Sequence, residues 1–139
     1  MSLKFHEPQD AHHPTTEWRI YPFKNDEPLR NFDDIVEPIM LKESSYLIGK
    51  DERICDILAE NPSISRQHAV LQFRKKYQME MDGSYLEKVI PYLMDLESTN
   101  GTKINEEKLE PTRYYELMNK DVLKFGFSER EYVLVEVEN

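Results

Sequence analysis

Ser65-Arg66-Gln67-His68-Ala69-Val70-Leu71-Gln72-Phe73-Arg74 is a polar loop that runs straight into a strand. Ala69, Leu71 and Phe73 alternate with Val70, Gln72 and Arg74, the two-residue period of a chain whose side chains point to opposite faces of a sheet. Working outward, Tyr46-Leu47-Ile48 is a short apolar strand stopped by Gly49. Downstream, Ile90, Tyr92, Met94 and Leu96 share one face of a run containing Pro91, which lacks an N–H and so predicts an edge position or a strand start. Trp18-Arg19-Ile20-Tyr21-Pro22-Phe23 is an aromatic and β-branched strand candidate closed by Pro22, and Asp121–Phe125 and Tyr132–Val137 read as two more. Turn signals separate these runs, no apolar period has helix length, and no internal repeat is visible. The fold class they predict is all-β, an antiparallel β-sandwich.

Around that sheet the chain is polar. Its 139 residues are the size of one domain; 39% are hydrophobic, 32% charged, and 8 prolines outnumber 4 glycines, so long polar loops around a small core are expected. Residues 1–16, with Pro8, Pro14 and His12-His13, form a loose N-terminal arm by composition, and the domain proper takes 17–139. Lys24-Asn25-Asp26-Glu27-Pro28 reads as a turn, and about 29–45 as an irregular insertion with a helical turn or short strand. Cys55 is the one cysteine and cannot form an internal disulfide; with only scattered histidines, no metal-ligand spacing can be written. No apolar run approaches the roughly 18 residues of a membrane-spanning helix, and Met1–His6 carries no secretory signal, so no membrane partner is expected. Asn100-Gly101-Thr102 fits a glycosylation acceptor only at the level of chance. A net charge of −9 disfavours direct nucleic-acid binding by the surface at large.

Three loops sit at strand ends, and in a sandwich the loops at one end converge on a single surface. They are Gly49-Lys50-Asp51-Glu52-Arg53, Ser63-Ile64-Ser65-Arg66-Gln67-His68 and Leu96-Glu97-Ser98-Thr99-Asn100-Gly101-Thr102. Lys50, Arg53, Arg66 and Lys103 stand in or beside them, a local positive cluster in an acidic chain. A phosphate fits such a place, because it needs a cation together with short hydroxyl or backbone donors on rigid loops.

Gly49-Lys50, Ser65-x-x-His68 and Leu96-x-Ser98-Thr99-Asn100-Gly101-Thr102, in this order and spacing, resemble the signature of forkhead-associated (FHA) domains. Trp18–Glu27, Gln67–Val70, Arg113–Leu117 and Asp121–Phe127 extend the likeness to the subfamily of the pre-mRNA leakage protein and the Smad nuclear-interacting protein. The resemblance implies a phosphothreonine-reading sandwich with an N-terminal extension. It also implies a nuclear protein of a pre-mRNA retention and splicing complex that associates with the spliceosome. The implied partners are a phosphothreonine-containing protein segment, an RNA-recognition-motif subunit and a third, largely disordered subunit. In that family the partner-gripping segment lies upstream of the domain, and this chain starts close to the domain, as a fragment would.

The resemblance gives residues their roles. Ser65 hydrogen-bonds the phosphate, Thr99 assists, Asn100 holds the ligand backbone and Arg66 adds charge. His68 braces the loop from inside, and Gly49 and Gly101 permit backbone turns by tolerating positive φ. Asn100-Gly101 reads as a tight turn on its own physics. Where the family has arginine after the glycine, this chain has Lys50, a flexible point charge in place of a planar fork. A second reading therefore stays open, a scaffold that docks on splicing partners without reading phosphate.

Plainer roles account for the other candidates. Ser65 with His68 lacks a Gly-x-Ser-x-Gly elbow and an assigned orienting carboxylate, so no catalytic residue, no cofactor and no enzyme is expected. Arg74-Lys75-Lys76 reads as a solvated face, Tyr114 and Tyr115 as packing aromatics, and Cys55 as filling space in or near the core.

Overall fold

The computed structural model describes residues 3–24, 27–28 and 37–138. Its regular elements, among those residues, are all strands. In chain order they are β1 (Glu17–Lys24), β2 (Glu27–Pro28), β3 (Ile39–Leu41), β4 (Ser45–Gly49), β5 (Ile57–Leu58), β6 (Ala69–Met79), β7 (Tyr85–Asp95), β8 (Thr102–Ile104), β9 (Glu107–Lys108), β10 (Tyr115–Glu116), β11 (Val122–Phe125) and β12 (Arg130–Val137). One sheet has the order β2-β1-β12-β11-β8-β9, with β3 also on β1, and the other runs β10-β7-β6-β4-β5. Every pairing is antiparallel except β4 with β5.

The period-2 pattern builds the core directly. Trp18, Ile20, Leu123, Phe125, Tyr132 and Leu134 of the first sheet face Tyr46, Ile48, Leu71, Phe73 and Leu93 of the second in one apolar cluster. Burying each such side chain contributes about 1.5–3 kcal/mol. The Trp18 and Phe73 rings meet across the layers at 6.4 Å between centroids, and Phe125 stacks edge-on to Tyr132 at 5.5 Å.

Two prolines sit where the ladder spares them. β1 continues past Pro22 to Lys24, and on its outer edge β3 partners residues 18–20 and β2 residues 23–24, which leaves Pro22 in the gap. Pro91 is neither at an edge nor at a strand start: it lies well inside β7, opposite Phe73. Phe73 donates its N–H to Ser44 O (2.8 Å) and its carbonyl accepts from His12 N–H (3.2 Å), so both groups point away from β7. Phe73 and Pro91 are thus a non-hydrogen-bonded pair, so the β6–β7 ladder does not ask for the missing N–H; on the other side Pro91 O accepts from Leu117 N–H (2.9 Å), just where the pairing with β10 stops.

The outer face of β6 is covered as well. Residues 69–73 are buried throughout because the N-terminal arm, expected to be loose, lies along this strand. Lys75 N–H donates to Asp10 O (2.7 Å), Ser44 Oγ to Glu7 Oε1 (2.5 Å), and Lys4 N–H to Gln67 Oε1 (2.8 Å). Phe5 packs with Met94, Ile54 and Cys55 on a second cluster of Leu47, Val70 and Leu96, so the face shared by Met94 and Leu96 is the outer one. Cys55 fills space there. Of the insertion expected at 29–45, residues 29–36 lie outside the described residues and Ile39–Leu41 form β3; the turn at 24–28 has residues 25–26 outside them.

The same arm answers the basic run. Asp10 accepts from Arg74 Nε (2.8 Å) and pairs with Lys76 Nζ (2.8 Å), while Lys75 pairs with Glu87 (3.2 Å). Arg74 also lies over the Tyr114 ring, 4.7 Å from its centroid, and Tyr114 meets Tyr92 edge-on at 6.1 Å. Tyr115 packs against the core cluster, and its hydroxyl accepts from Glu110 N–H (3.0 Å).

The hydrogen bond from Arg74, reinforced by Lys76, holds the Asp10 carboxyl at about 2 against an ordinary 3.8. A carboxylate depressed on folding adds stability above its unfolded pKa and loses it as pH falls towards the folded one. With Asp10 partly open to solvent, Asp10→Asn should cost about 1 kcal/mol at pH 7. It should also flatten the loss of stability between pH 4 and pH 2 in urea unfolding; parallel wild-type and variant curves would contradict the pairing.

Candidate functional site

The three loops do converge, and His68 ties two of them. It is fully buried at the entry to β6, where its Nδ1 accepts the N–H of Ser65 at 3.0 Å. The proton must then sit on Nε2, which donates to the carbonyl of Gly101 at 2.8 Å. One imidazole thereby ties the Ser63–His68 loop to the Leu96–Thr102 loop. Burial pushes its pKa below the ordinary 6.5, against the opposing pull of the Gly101 carbonyl and of Asp95, 3.9 Å away. The ring is neutral at pH 7.

Asp95, at the end of β7, organises the second loop. Its carboxylate accepts from Ser98 Oγ (2.5 Å), Ser98 N–H (3.0 Å) and Thr102 Oγ1 (2.6 Å), and Ser98 Oγ in turn accepts from Gly101 N–H (2.9 Å). Gly101 has φ +85°, which suits glycine, and its carbonyl also receives Gly126 N–H at 2.9 Å. Thr99 N–H donates to Ser65 Oγ at 3.1 Å, leaving the Ser65 hydroxyl proton for a ligand. Asn100 Nδ2 donates to Ser63 O at 2.8 Å, so this side chain clamps the neighbouring loop and keeps its Oδ1 and second amide proton in reserve.

Gly49 serves differently from the expected turn. It is an extended, buried β4 residue, and a Cβ there would lie 2.1 Å from Arg66 O. That carbonyl accepts from Asp51 N–H (3.2 Å) and Cys55 Sγ (3.1 Å), which anchor the loop against the glycine. Lys50 N–H donates to Ser65 O at 3.2 Å.

Lys50, Ser65, Arg66, Thr99 and Asn100 therefore line one cleft of about 470 Å³. Lys4 of the arm lines it too, a residue that nothing in the local sequence pattern marks. Among the described residues the side chains of Lys4, Lys50 and Arg66 make no ion pair or hydrogen bond, so three cations without a contact partner face the cleft, Arg66 feeling the Asp51 carboxylate only from a distance. Two members of the expected cluster do not line it. Arg53 folds back on Asp51 (Nε–Oδ1 3.1 Å, NH2–Oδ2 3.2 Å), and Lys103 sits in β8 between Lys108 and Lys124.

Fold and site define a β-sandwich with a cation-lined loop cleft at one end. The FHA domain family matches residues 46–126. Over 135 residues the chain is 50% identical to Smad nuclear-interacting protein 1 of Mus musculus, covering 96% of this chain and 33% of that protein. Over 136 residues it is 49% identical to the FHA domain-containing protein DDL of Arabidopsis thaliana, covering 97% and 41%. The structure resembles that of the yeast Pml1 splicing factor, determined together with its integration into the RES complex. The TM-score is 0.76 and the identity 27%, over 99% of this chain and 100% of that one. The chain belongs to the FHA family. It spans 33–41% of the length of these curated relatives.

Two outcomes test this frame. Gly49→Ala should destabilise the domain by about 2–4 kcal/mol, because the new methyl meets a backbone carbonyl that is itself held in place; a variant as stable as wild type would contradict the close approach. His68 binds protons less readily folded than unfolded, so its contribution to stability is complete above pH 6.5 and declines as pH falls below it. His68→Gln should lose stability at pH 7.5 and show a shallower fall in melting temperature from pH 7.5 to pH 5 than wild type.

Proposed function

We propose that the cleft binds a phosphothreonine-containing protein segment. The observation that carries this reading is the grouping of three unpaired cations, Lys4, Lys50 and Arg66, around the Ser65 hydroxyl in a chain of net charge −9. A phosphate brings close to two negative charges and three acceptor oxygens, and the cleft offers point charges with a short donor on a braced loop. Ser65 donates to a phosphate oxygen, Lys50 and Arg66 neutralise it, Thr99 borders the same oxygens, and Asn100 presents its remaining amide groups to the ligand backbone. The domain taken for this role is 17–139, with 1–16 as its arm.

The chemistry is that of a binding module and not of an enzyme. The likeness to proteins named for a nuclear interaction and for splicing supports a place in a nuclear pre-mRNA retention and splicing assembly. There an RNA-recognition-motif subunit and a disordered third subunit are its companions on the spliceosome.

Calorimetry with a phosphothreonine peptide and its unphosphorylated twin tests the reading. Ser65→Ala should weaken phosphopeptide binding by about 1.5–3 kcal/mol, the range for a hydrogen bond to a charged group. Lys50→Arg should tighten it by about 1 kcal/mol, since a guanidinium adds a second matched donor to the charge already there. Equal, weak binding of both peptides by wild type and variants would leave the fold as a scaffold and remove phosphate from the account.

A further inference from the structure

The first half of β7 is paired on one side only. β6 runs beside it from Met79 to Ala69, whereas β10 reaches only Tyr92 and Leu93 on the other edge. The non-hydrogen-bonded pairing of Phe73 with Pro91 sets the phase of the ladder. In an antiparallel pair that state recurs at every second residue, so the N–H and C=O of Val89, Glu87 and Tyr85 also turn away from β6, onto the open edge. The Lys75 N–H, which donates to Asp10 and not to Val89 opposite it, keeps the same phase. Among the described residues none of these three edge positions has a backbone partner on that side.

This hairpin also overhangs the core. Tyr77, Met79 and Tyr85 are each 64% exposed, although they continue the face that carries Leu71 and Phe73 further down the sheet. Beside the edge lies a groove of about 520 Å³, lined among others by Trp18, Glu87, Val89, Glu116, Met118 and Glu136. The Trp18 indole N–H is buried there without an acceptor. Three carboxylates line the groove, with Lys88 as its only cation among the described residues, and Glu116 has no cationic partner. None of the groove residues lines the phosphate cleft.

We propose that this edge docks an extended segment of a partner protein, which joins the sheet as a strand beside β7 and carries basic side chains opposite Glu116 and Glu136. Strand addition satisfies the open N–H and C=O groups of Tyr85, Glu87 and Val89, and alternate apolar side chains of the segment cover the overhanging tyrosines. The acidic lining selects a basic segment over an acidic one and makes binding sensitive to salt. Because the groove and the cleft share no residue, one domain can hold a phosphopeptide and this strand together.

Amide hydrogen exchange followed by NMR on the whole chain tests it. The probes are a capped peptide of alternating lysine and valine and its glutamate-valine counterpart. The lysine peptide should slow exchange at Tyr85, Glu87 and Val89 by roughly tenfold, and the glutamate peptide should not. Glu116→Lys should weaken the lysine peptide by roughly fivefold. Glu87→Pro removes an edge donor and leaves the β6–β7 backbone hydrogen bonds in place, with Glu87→Gln as the control for the lost Lys75 pair and groove charge, and should abolish the effect where Glu87→Gln only weakens it; should the proline variant unfold, the two peptides and Glu116→Lys still decide. No slowing with the lysine peptide, or an equal response to both peptides, would overturn the proposal. So would protection that grows with protein concentration alone, which would make a second copy of this chain the occupant.

Discussion

The hydrogen bonds of His68 fix the spacing of two loops that leave the paired ends of β6 and β7. Ser65 N–H on one side and Gly101 C=O on the other are held by opposite nitrogens of the same ring, which couples the two loops. The arrangement works only for a neutral imidazole, because Nδ1 must accept while Nε2 donates. Full burial secures that state by penalising the charged form, and Phe125, edge-on at 5.7 Å between centroids, closes the ring off from below. Asp95 then takes up the donors of Ser98 and Thr102, and Gly49 supplies the flat floor against which the Arg66 carbonyl rests. With these groups engaged in one another, the groups left to face the cleft include the Ser65 hydroxyl proton, the Thr99 hydroxyl, part of the Asn100 amide and the cations.

The acidity of the chain sharpens what those cations do. Arg53, Arg74 and Lys76 are each tied to an aspartate, and Lys75 to a glutamate. Those held by Asp10 and Glu87 contribute to the packing of arm on sheet and of strand on strand. Lys4, Lys50 and Arg66 are left without such partners around one cleft, and an unpaired cluster in a negative field is a place where an anion gains and no internal ion pair must first be broken. The arm matters twice here, since it covers the outer face of β6 with Phe5 and brings Lys4 to the rim.

Much of this was legible in the chain itself. Two-residue periodicity located the strands around Tyr46–Ile48, Ala69–Arg74, Asp121–Phe125 and Tyr132–Val137, because a half-buried strand must alternate. Short hydroxyl-rich loops between strands marked Ser65, Thr99 and Asn100 for the same surface. Lys4 was illegible because its position depends on where a distant segment docks. Gly49 was misread as a turn because the close approach of the Arg66 carbonyl is a tertiary contact that leaves no trace in the flanking residues. Pro91 was misplaced for a related reason: whether a strand position needs its N–H depends on the phase of the ladder, which only the pairing of Phe73 reveals. Sequence proximity alone puts Arg53 in the cluster, whereas the carboxylate two residues before it claims its guanidinium.

A phosphate-reading cleft must distinguish a phosphate from its absence. Amide NMR of the wild-type chain, titrated in parallel with a phosphothreonine peptide and the unphosphorylated peptide, measures this residue by residue without any substitution. The phosphorylated peptide should shift Lys50, Ser65, Arg66, Thr99 and Asn100 while the outer strands stay still, and the unphosphorylated one should leave all five in place. Equal shifts from both peptides, or shifts confined to residues away from these loops, would contradict it.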